Sequence, residues 1–299
     1  MKGDGAINFY HALRCLTVDV ITEVAFGESF HLLTKAENNT FNAPFLDSLD
    51  LALKSVWDVM YFPIIRVIVD NAPPAVAVML SQPVARFQDL IRAVTDTVAK
   101  FRKLKSFGKS LDHDIVFGPM SQLDDKVLLV EASDILVAGS DTTATTLAIA
   151  IQKFAEYPGI LSKLKSEMKE AGIVTELDYK LVELEKPPYL ACIGMSAYTI
   201  HLDESIWVED AKSFNPDRWQ TGDAKELEKF LMTFSKGARQ CLGINLAYAE
   251  ATLTLAMLAN RFCFTLDETM NESDLKRIDN FTIGFQGTEI RAIVHDDKE

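Results

Sequence analysis

Phe234-Ser235-Lys236-Gly237-Ala238-Arg239-Gln240-Cys241-Leu242-Gly243 is the stretch on which the reading of the chain turns. Cys241 lies just before an apolar run, Leu242 to Phe262, whose spacing predicts a helix. A helix N-terminus points backbone N–H groups and the positive end of its dipole at such a sulfur, which favours the thiolate. Gly237 and Gly243 permit tight turns and the close approach of a flat ligand. Arg239 adds a cation suited to a carboxylate. Together these residues describe a metal-binding thiolate loop beside an anion site. A lone cysteine would instead read as a buried thiol near a turn.

Upstream, the pattern is helical for more than thirty residues from Asp124 to Tyr157, the longest element in the chain. Its centre reads Ala138-Gly139-Ser140-Asp141-Thr142-Thr143. A glycine and three hydroxyl residues are poor choices for the middle of an apolar helix, and such local inconsistency marks either a kink or a functional site. Gly139 lets another group approach the backbone, Thr142 can divert hydrogen bonding from the helix ladder, and Asp141 can relay protons. A third stretch, Phe214-Asn215-Pro216-Asp217-Arg218-Trp219, lies in an irregular region ahead of the cysteine loop.

The three stretches, in this order, resemble the cytochrome P450 family. The loop matches F-x-x-G-x-R-x-C-x-G at Phe234, Gly237, Arg239, Cys241 and Gly243; Ala138 to Thr143 matches A-G-x-D-T-T; Phe214 to Trp219 matches F-x-P-x-R-W. Leu242 to Glu250 is similar to fungal P450s of secondary metabolism, of a trichodiene-oxygenase-like type, and Leu16 to Gly27 resembles a mid-chain helix of the same enzymes. The resemblance implies a mainly α fold with minor C-terminal β-strands, and haem b held through its iron by the Cys241 thiolate, which pushes electron density onto the metal. It implies that Phe234 packs beside the ligand, Arg239 holds a propionate, and Gly237 and Gly243 shape the loop. Ala138 and Gly139 would open the distal groove, with Thr142 hydrogen-bonding dioxygen and Asp141 feeding protons. The implied reaction hydroxylates or epoxidises a lipophilic small molecule with O₂ and two electrons from an NADPH-dependent P450 reductase, for which Lys236 and Arg239 are basic docking groups.

The rest of the chain agrees with a helical enzyme. Its 299 residues are 48% hydrophobic, 9% aromatic and 24% charged, which excludes collagen-like, disordered and low-complexity classes. A net charge of −13 argues against nucleic acid as a partner. Cys15, Cys192, Cys241 and Cys263 show no paired spacing and read as reduced thiols, all but Cys241 inert. Ile7, Tyr10, Leu13, Leu16, Val20 and Val24 form a stripe that stops near Gly27; 45–60, 87–104 and 160–171 are further helices. Tyr61 to Val84, interrupted by Pro63, Pro73, Pro74 and Pro83, reads as a buried connector in preference to a lid against a membrane or greasy ligand. Met195 to Ile200, Phe262 to Leu266 and Phe281 to Val294 read as strands, the last with Gly284 and Gly287 at a turn.

The family pattern also has gaps. The chain is expected to be one partial P450 domain, 1–299, without the N-terminal anchor, the first strands and the helix carrying a propionate-binding Trp/Arg. As written it would be cytoplasmic; a full-length form with the usual anchor would sit on the cytosolic face of the endoplasmic reticulum. No arginine here has Glu three residues before it, so the E-x-x-R pair is missing, and Ile193/Gly194 resembles a deletion or a wrongly excised exon. Arg218 would then lose its partners and, if buried, stand as an unpaired charge. Alternatives to an active monooxygenase are therefore an inactive remnant or misassembled gene product, or a helical interaction module without haem. His201 and the tryptophans read as structural, as do Phe281 and Phe285.

Overall fold

A computed structural model of the chain describes residues 6–36, 41–62, 64, 67, 71, 73, 82–106, 114–173, 200–222, 224–236, 240–280, 282–287 and 290–296. The longer helices are α1 (Phe9–Phe26), α2 (Pro44–Tyr61), α3 (Gln82–Ser106), α4 (Asp125–Glu156), α5 (Pro158–Glu170) and α6 (Ile244–Arg261). The strands from the C-terminal part are β1 (Phe262–Leu266), β2 (Arg277–Asn280), β3 (Thr282–Phe285) and β4 (Arg291–Asp296). This is the mainly helical architecture with minor strands that the sequence predicts. The chain divides into two compact units, one of Ile7–Thr145 with Asn271–Ile290 and one of Met1–Ala6, Thr146–Met270 and Arg291–Glu299, so the division falls within α4.

In the first unit, α1 begins where the Asn8 side chain accepts a hydrogen bond from His11 N–H and ends where Gly27, at φ 78°, adopts the left-handed conformation that glycine takes without strain. Its buried stripe, Leu13, Val18, Ile21 and Ala25, faces the core, and Phe26 meets Phe117 at 4.7 Å between ring centres. α2 packs along α3. β2 and β3 form a tight antiparallel hairpin with Asn280 opposite Thr282. The sequence reading placed a turn at Gly284 and missed β2. Gly284 in fact lies inside β3, and β2 (Arg277-Ile278-Asp279-Asn280) is too short and polar to announce itself by alternation.

The centre of this unit is ionic. Arg14, fully buried on α1, sends Nη2 to within 2.6 Å of the Asp50 carboxylate on α2 and Nε to within 3.1 Å of Asp141 on α4. The contacts are charge pairs; the N–H vectors are not aligned as hydrogen bonds. Tyr10 lies under the guanidinium, 5.2 Å from ring centre to Cζ, and its hydroxyl donates to Asp141 at 3.4 Å. Burial first, and then the Asp141 charge, drives the Tyr10 phenol far above its ordinary titration range, so it acts only as a neutral donor. Thr282 on β3 also donates to Asp141.

In the second unit, α5 starts on Pro158, whose missing N–H costs nothing at a first helical position, and packs against α6. β1 pairs antiparallel with β4 from Phe262 opposite Asp296 to Leu266 opposite Ala292. Between α5 and α6 the described chain is a succession of short turns. Ile200–Leu202 is a 3₁₀ turn where the sequence reading ended a strand; the remainder of that strand, 195–199, lies outside the described residues. Of the expected buried connector, Tyr61, Phe62, Ile64 and Val67 are each more than half exposed. Among the described residues no helix is long and apolar enough to cross a membrane.

Removing one partner of a buried ion pair strands the other and costs about 3–5 kcal/mol. Arg14→Met is therefore expected to lower unfolding stability by that amount in urea titration. Asp50→Asn, whose partner retains Asp141, is expected to cost less; equal losses would contradict this arrangement. Glu250 on α6 offers a second measurement. It is buried, its Oε1 has no hydrogen-bond partner among the described residues, and burial pushes its carboxyl up to about 7. A folded value above the ordinary 4.5 means its contribution is fully present below pH 4.5 and is lost as pH rises through about 7. Glu250→Gln is expected to match the parent protein in stability at pH 4 and to exceed it at pH 8, by on the order of 2 kcal/mol.

Candidate active site

Cys241 stands at the entrance to α6, three residues before Ile244, with its side chain exposed. Its N–H donates to Phe234 O at 2.8 Å, which ties the two ends of the 234–241 loop together. The Phe234 ring lies against Tyr248 at 5.0 Å. Ser235 is held at φ 59°, a left-handed position that a residue with a side chain adopts only when its surroundings impose it. Gly243 is the N-cap residue of α6; a Cβ there would lie 4.0 Å from the Cys241 sulfur, an ordinary contact, so space alone does not demand this glycine. Gly237 and Arg239 lie outside the described residues. Lys236 bends back, its ammonium donating to Glu228 O and Lys229 O, so its charge is not aimed outward from the loop.

The α4 cluster divides between two faces of its helix. Thr142 and Ala138 lie on an exposed stripe with Val127, Val130 and Asp134. The Thr142 hydroxyl donates to Ala138 O at 2.9 Å, the i−4 bond expected of a mid-helix threonine. Asp141 is 2% exposed and turned the other way, into the Arg14 cluster. Gly139 takes a different place from the distal groove expected of it. A Cβ there would sit 2.5 Å from Ile21 Cγ1, so the missing side chain makes room for α1. The neighbouring Ser140 carbonyl accepts the Thr17 hydroxyl of α1 at 2.5 Å, which fixes the same close approach.

The Phe214 to Trp219 stretch corrects the expectation of a stranded Arg218. Its guanidinium donates to Asn215 O, Trp207 O and Asp210 O at 3.1, 2.9 and 3.1 Å, and pairs with the Asp210 carboxylate at 3.0 Å. Trp207 lies between Trp219, at 5.9 Å, and His201, at 5.7 Å, and its indole N–H donates to Ile200 O. His201 Nε2 accepts the Met232 N–H at 2.9 Å, two residues before Phe234.

Sequence reasoning missed Arg14, Tyr10, Thr282 and the Met232 bond of His201. A cation inside an otherwise apolar stripe was the available signal for Arg14; nothing local marks the others.

A group held by one thiolate needs an accessible sulfur, no carboxylate crowding it, and space for a flat body. Cys241 satisfies the first two: it is exposed, and the first turn of α6 has no acidic residue. By contrast Cys15 is buried, its thiol pushed up to about 11 by that burial, and the Cys263 sulfur accepts a hydrogen bond from Lys165. Among the described residues no group of three or more His, Cys, Asp or Glu could hold an ion by itself. A metal at Cys241 would have to bring further ligands of its own, as the iron of a porphyrin does.

Comparison with known proteins agrees. The family model for Cytochrome P450 matches residues 2–191 and 191–288, the two stretches meeting close to the Ile193/Gly194 junction. The chain is 29% identical to the cytochrome P450 monooxygenase claJ of Penicillium crustosum, over 88% of this chain and 70% of that protein. It is 27% identical to the monooxygenase asqL of Emericella nidulans (97% and 68%) and 26% identical to penB of Penicillium thymicola (97% and 75%). The thiolate loop, the α4 motif and a family match over nearly the whole chain together place this protein in the cytochrome P450 family of monooxygenases.

Proposed function

We propose that this chain binds haem b through Cys241 and serves oxidation of a lipophilic small molecule, in keeping with its resemblance to fungal enzymes of secondary metabolism. The observation that carries this reading is the exposed Cys241 thiol at the start of α6 within the complete loop signature. Haem iron with a thiolate ligand supplies O₂ activation, with one oxygen placed in the substrate and two electrons drawn from an NADPH-dependent reductase.

The residues would share the work as follows. Cys241 would hold the iron through its sulfur, and Phe234, fixed on Tyr248, would lie on the loop beside it. Arg239 would neutralise a propionate, and the glycine pair Gly237 and Gly243 would let the loop approach a flat ring. On the exposed stripe of α4, Ala138 leaves space and Thr142 presents its hydroxyl, which can leave Ala138 O to donate to a ligand oxygen. Asp141, on the reverse face, would relay protons. It pairs with Arg14 and accepts from Tyr10 and Thr282, so it must leave Arg14 before it can reach Thr142. A folded but inactive protein is the second reading, favoured by the missing E-x-x-R pair.

Full-length protein expressed with added haem should show the red-shifted Soret band of a thiolate-ligated haem when reduced and exposed to CO. Cys241→Ala should abolish it with no loss of folded protein by circular dichroism. Folded, haem-supplied parent protein without the band would sink the proposal.

A further inference from the structure

His201 lies forty residues before the cysteine, yet it is the side chain that holds the near end of the cysteine loop. Its Nε2 accepts the Met232 N–H at 2.9 Å, and its ring also bonds the Phe230 backbone. Both contacts go to one short segment, 230–232. The ring cannot slide, because Trp207 stands edge-on to it at 5.7 Å and is itself fixed by its bond to Ile200 O and by Arg218, which donates to Trp207 O.

From Met232 the constraint passes along the chain through backbone bonds. Met232 O accepts Ser235 N–H at 2.9 Å, closing a tight turn, and Phe234 O accepts Cys241 N–H at 2.8 Å. Ser235 within that turn is left-handed at φ 59°. A side-chain-bearing residue in that region persists only where neighbouring contacts fix it. On one side those contacts are Phe234 on Tyr248; on the other they end at His201.

The clamp works in one protonation state only. Accepting the Met232 N–H requires an unprotonated Nε2; an imidazolium has two donors and no acceptor there. The charged groups nearby have partners of their own. Asp203 accepts from Ser205, Glu204 pairs with Lys212, Lys229 pairs with Glu226, and Lys236 donates to Glu228 O and Lys229 O. We propose that His201 is a positioning residue for the Cys241 ligand: neutral, it clamps the Met232–Ser235 turn, and protonated, it lets the turn and the cysteine loop relax. This rests on the reading of Cys241 as the axial ligand. Burial holds the His201 imidazole below its ordinary 6.5. A lowered folded value means the clamp's contribution is whole above pH 6.5 and is lost as pH falls below it.

The test follows amide exchange of the 230–236 segment from pH 5 to pH 8, corrected for intrinsic rates, on the full chain. The CO-bound spectrum is recorded in parallel on haem-loaded protein. The parent protein is expected to lose at least tenfold protection in this segment between pH 7.5 and pH 5, while α4 stays protected. The red-shifted Soret band is expected to convert to a shorter-wavelength form over the same interval. His201→Leu should show the low protection at every pH. His201→Gln, which keeps an acceptor and does not titrate, should restore protection and remove the acid limb. PH-independent protection in the parent protein, or parent-like protection in His201→Leu, would overturn the clamp. Protection that responds as expected while the Soret band does not would overturn the link from His201 to Cys241. No red-shifted band at any pH would overturn the ligand reading itself, and the exchange data, which need no haem, would still judge the clamp.

Discussion

The first unit depends on a single buried cation. Arg14 lies in the apolar stripe of α1, where a charge is tolerated only if anions meet it, and the anions come from two other helices, Asp50 on α2 and Asp141 on α4. Satisfying Arg14 therefore specifies which turn of α4 lies against α1. The rest of the contact follows from that register: Gly139 falls opposite Ile21, where no Cβ fits, and Thr17 reaches the Ser140 carbonyl. The β2–β3 hairpin joins the same cluster through Thr282, and Thr145 donates to Ile283 O at 3.4 Å. An ionic centre of this kind is a weak source of net stability, and a shift of α4 that carried Asp141 away from Arg14 would leave a buried carboxylate unpaired.

That packing also explains why the α4 motif serves two purposes. Successive residues on a helix point about 100° apart, so a run of small and hydroxyl residues cannot all face one ligand. Gly139, Ser140 and Asp141 serve the α1 contact; Ala138 and Thr142, four apart, share the open stripe. Poor helix-formers are retained here for two distinct reasons, close approach on one face and an exposed hydroxyl on the other.

These two roles set the limit of what could be read from the sequence. The lengths of α1 and α4, the stop at Gly27 and the position of Cys241 before α6 were legible, because each depends on local periodicity, a cap or fixed spacing. The loop residues could be picked out together because they are contiguous in the chain. The assignment of Gly139 to a ligand groove was not correct, because whether a glycine admits a ligand or a helix is decided by a residue more than a hundred positions away, Ile21. Arg14–Asp141 and His201–Met232 were invisible for the same reason: a single polar residue carries no period, and its partner is chosen by the fold.

Arg218 shows how far a local segment can satisfy itself. The loss of a distant Glu would be severe if the guanidinium had no other acceptors. Yet the turns from Trp207 to Asn215 bend three carbonyls and the Asp210 carboxylate onto it, and the Asp210 carboxyl, bonded by Asn215 and near Arg218, is held below its usual range. Every one of these partners lies within eleven residues of Arg218. An arginine fork with five donors can be filled by a folded-back loop as readily as by another helix. The same loop carries Trp207, against which His201 rests, so the chain that saturates Arg218 also supports the ring that holds Met232. In this protein the geometry of the cysteine loop is therefore tied to contacts made within residues 200–248.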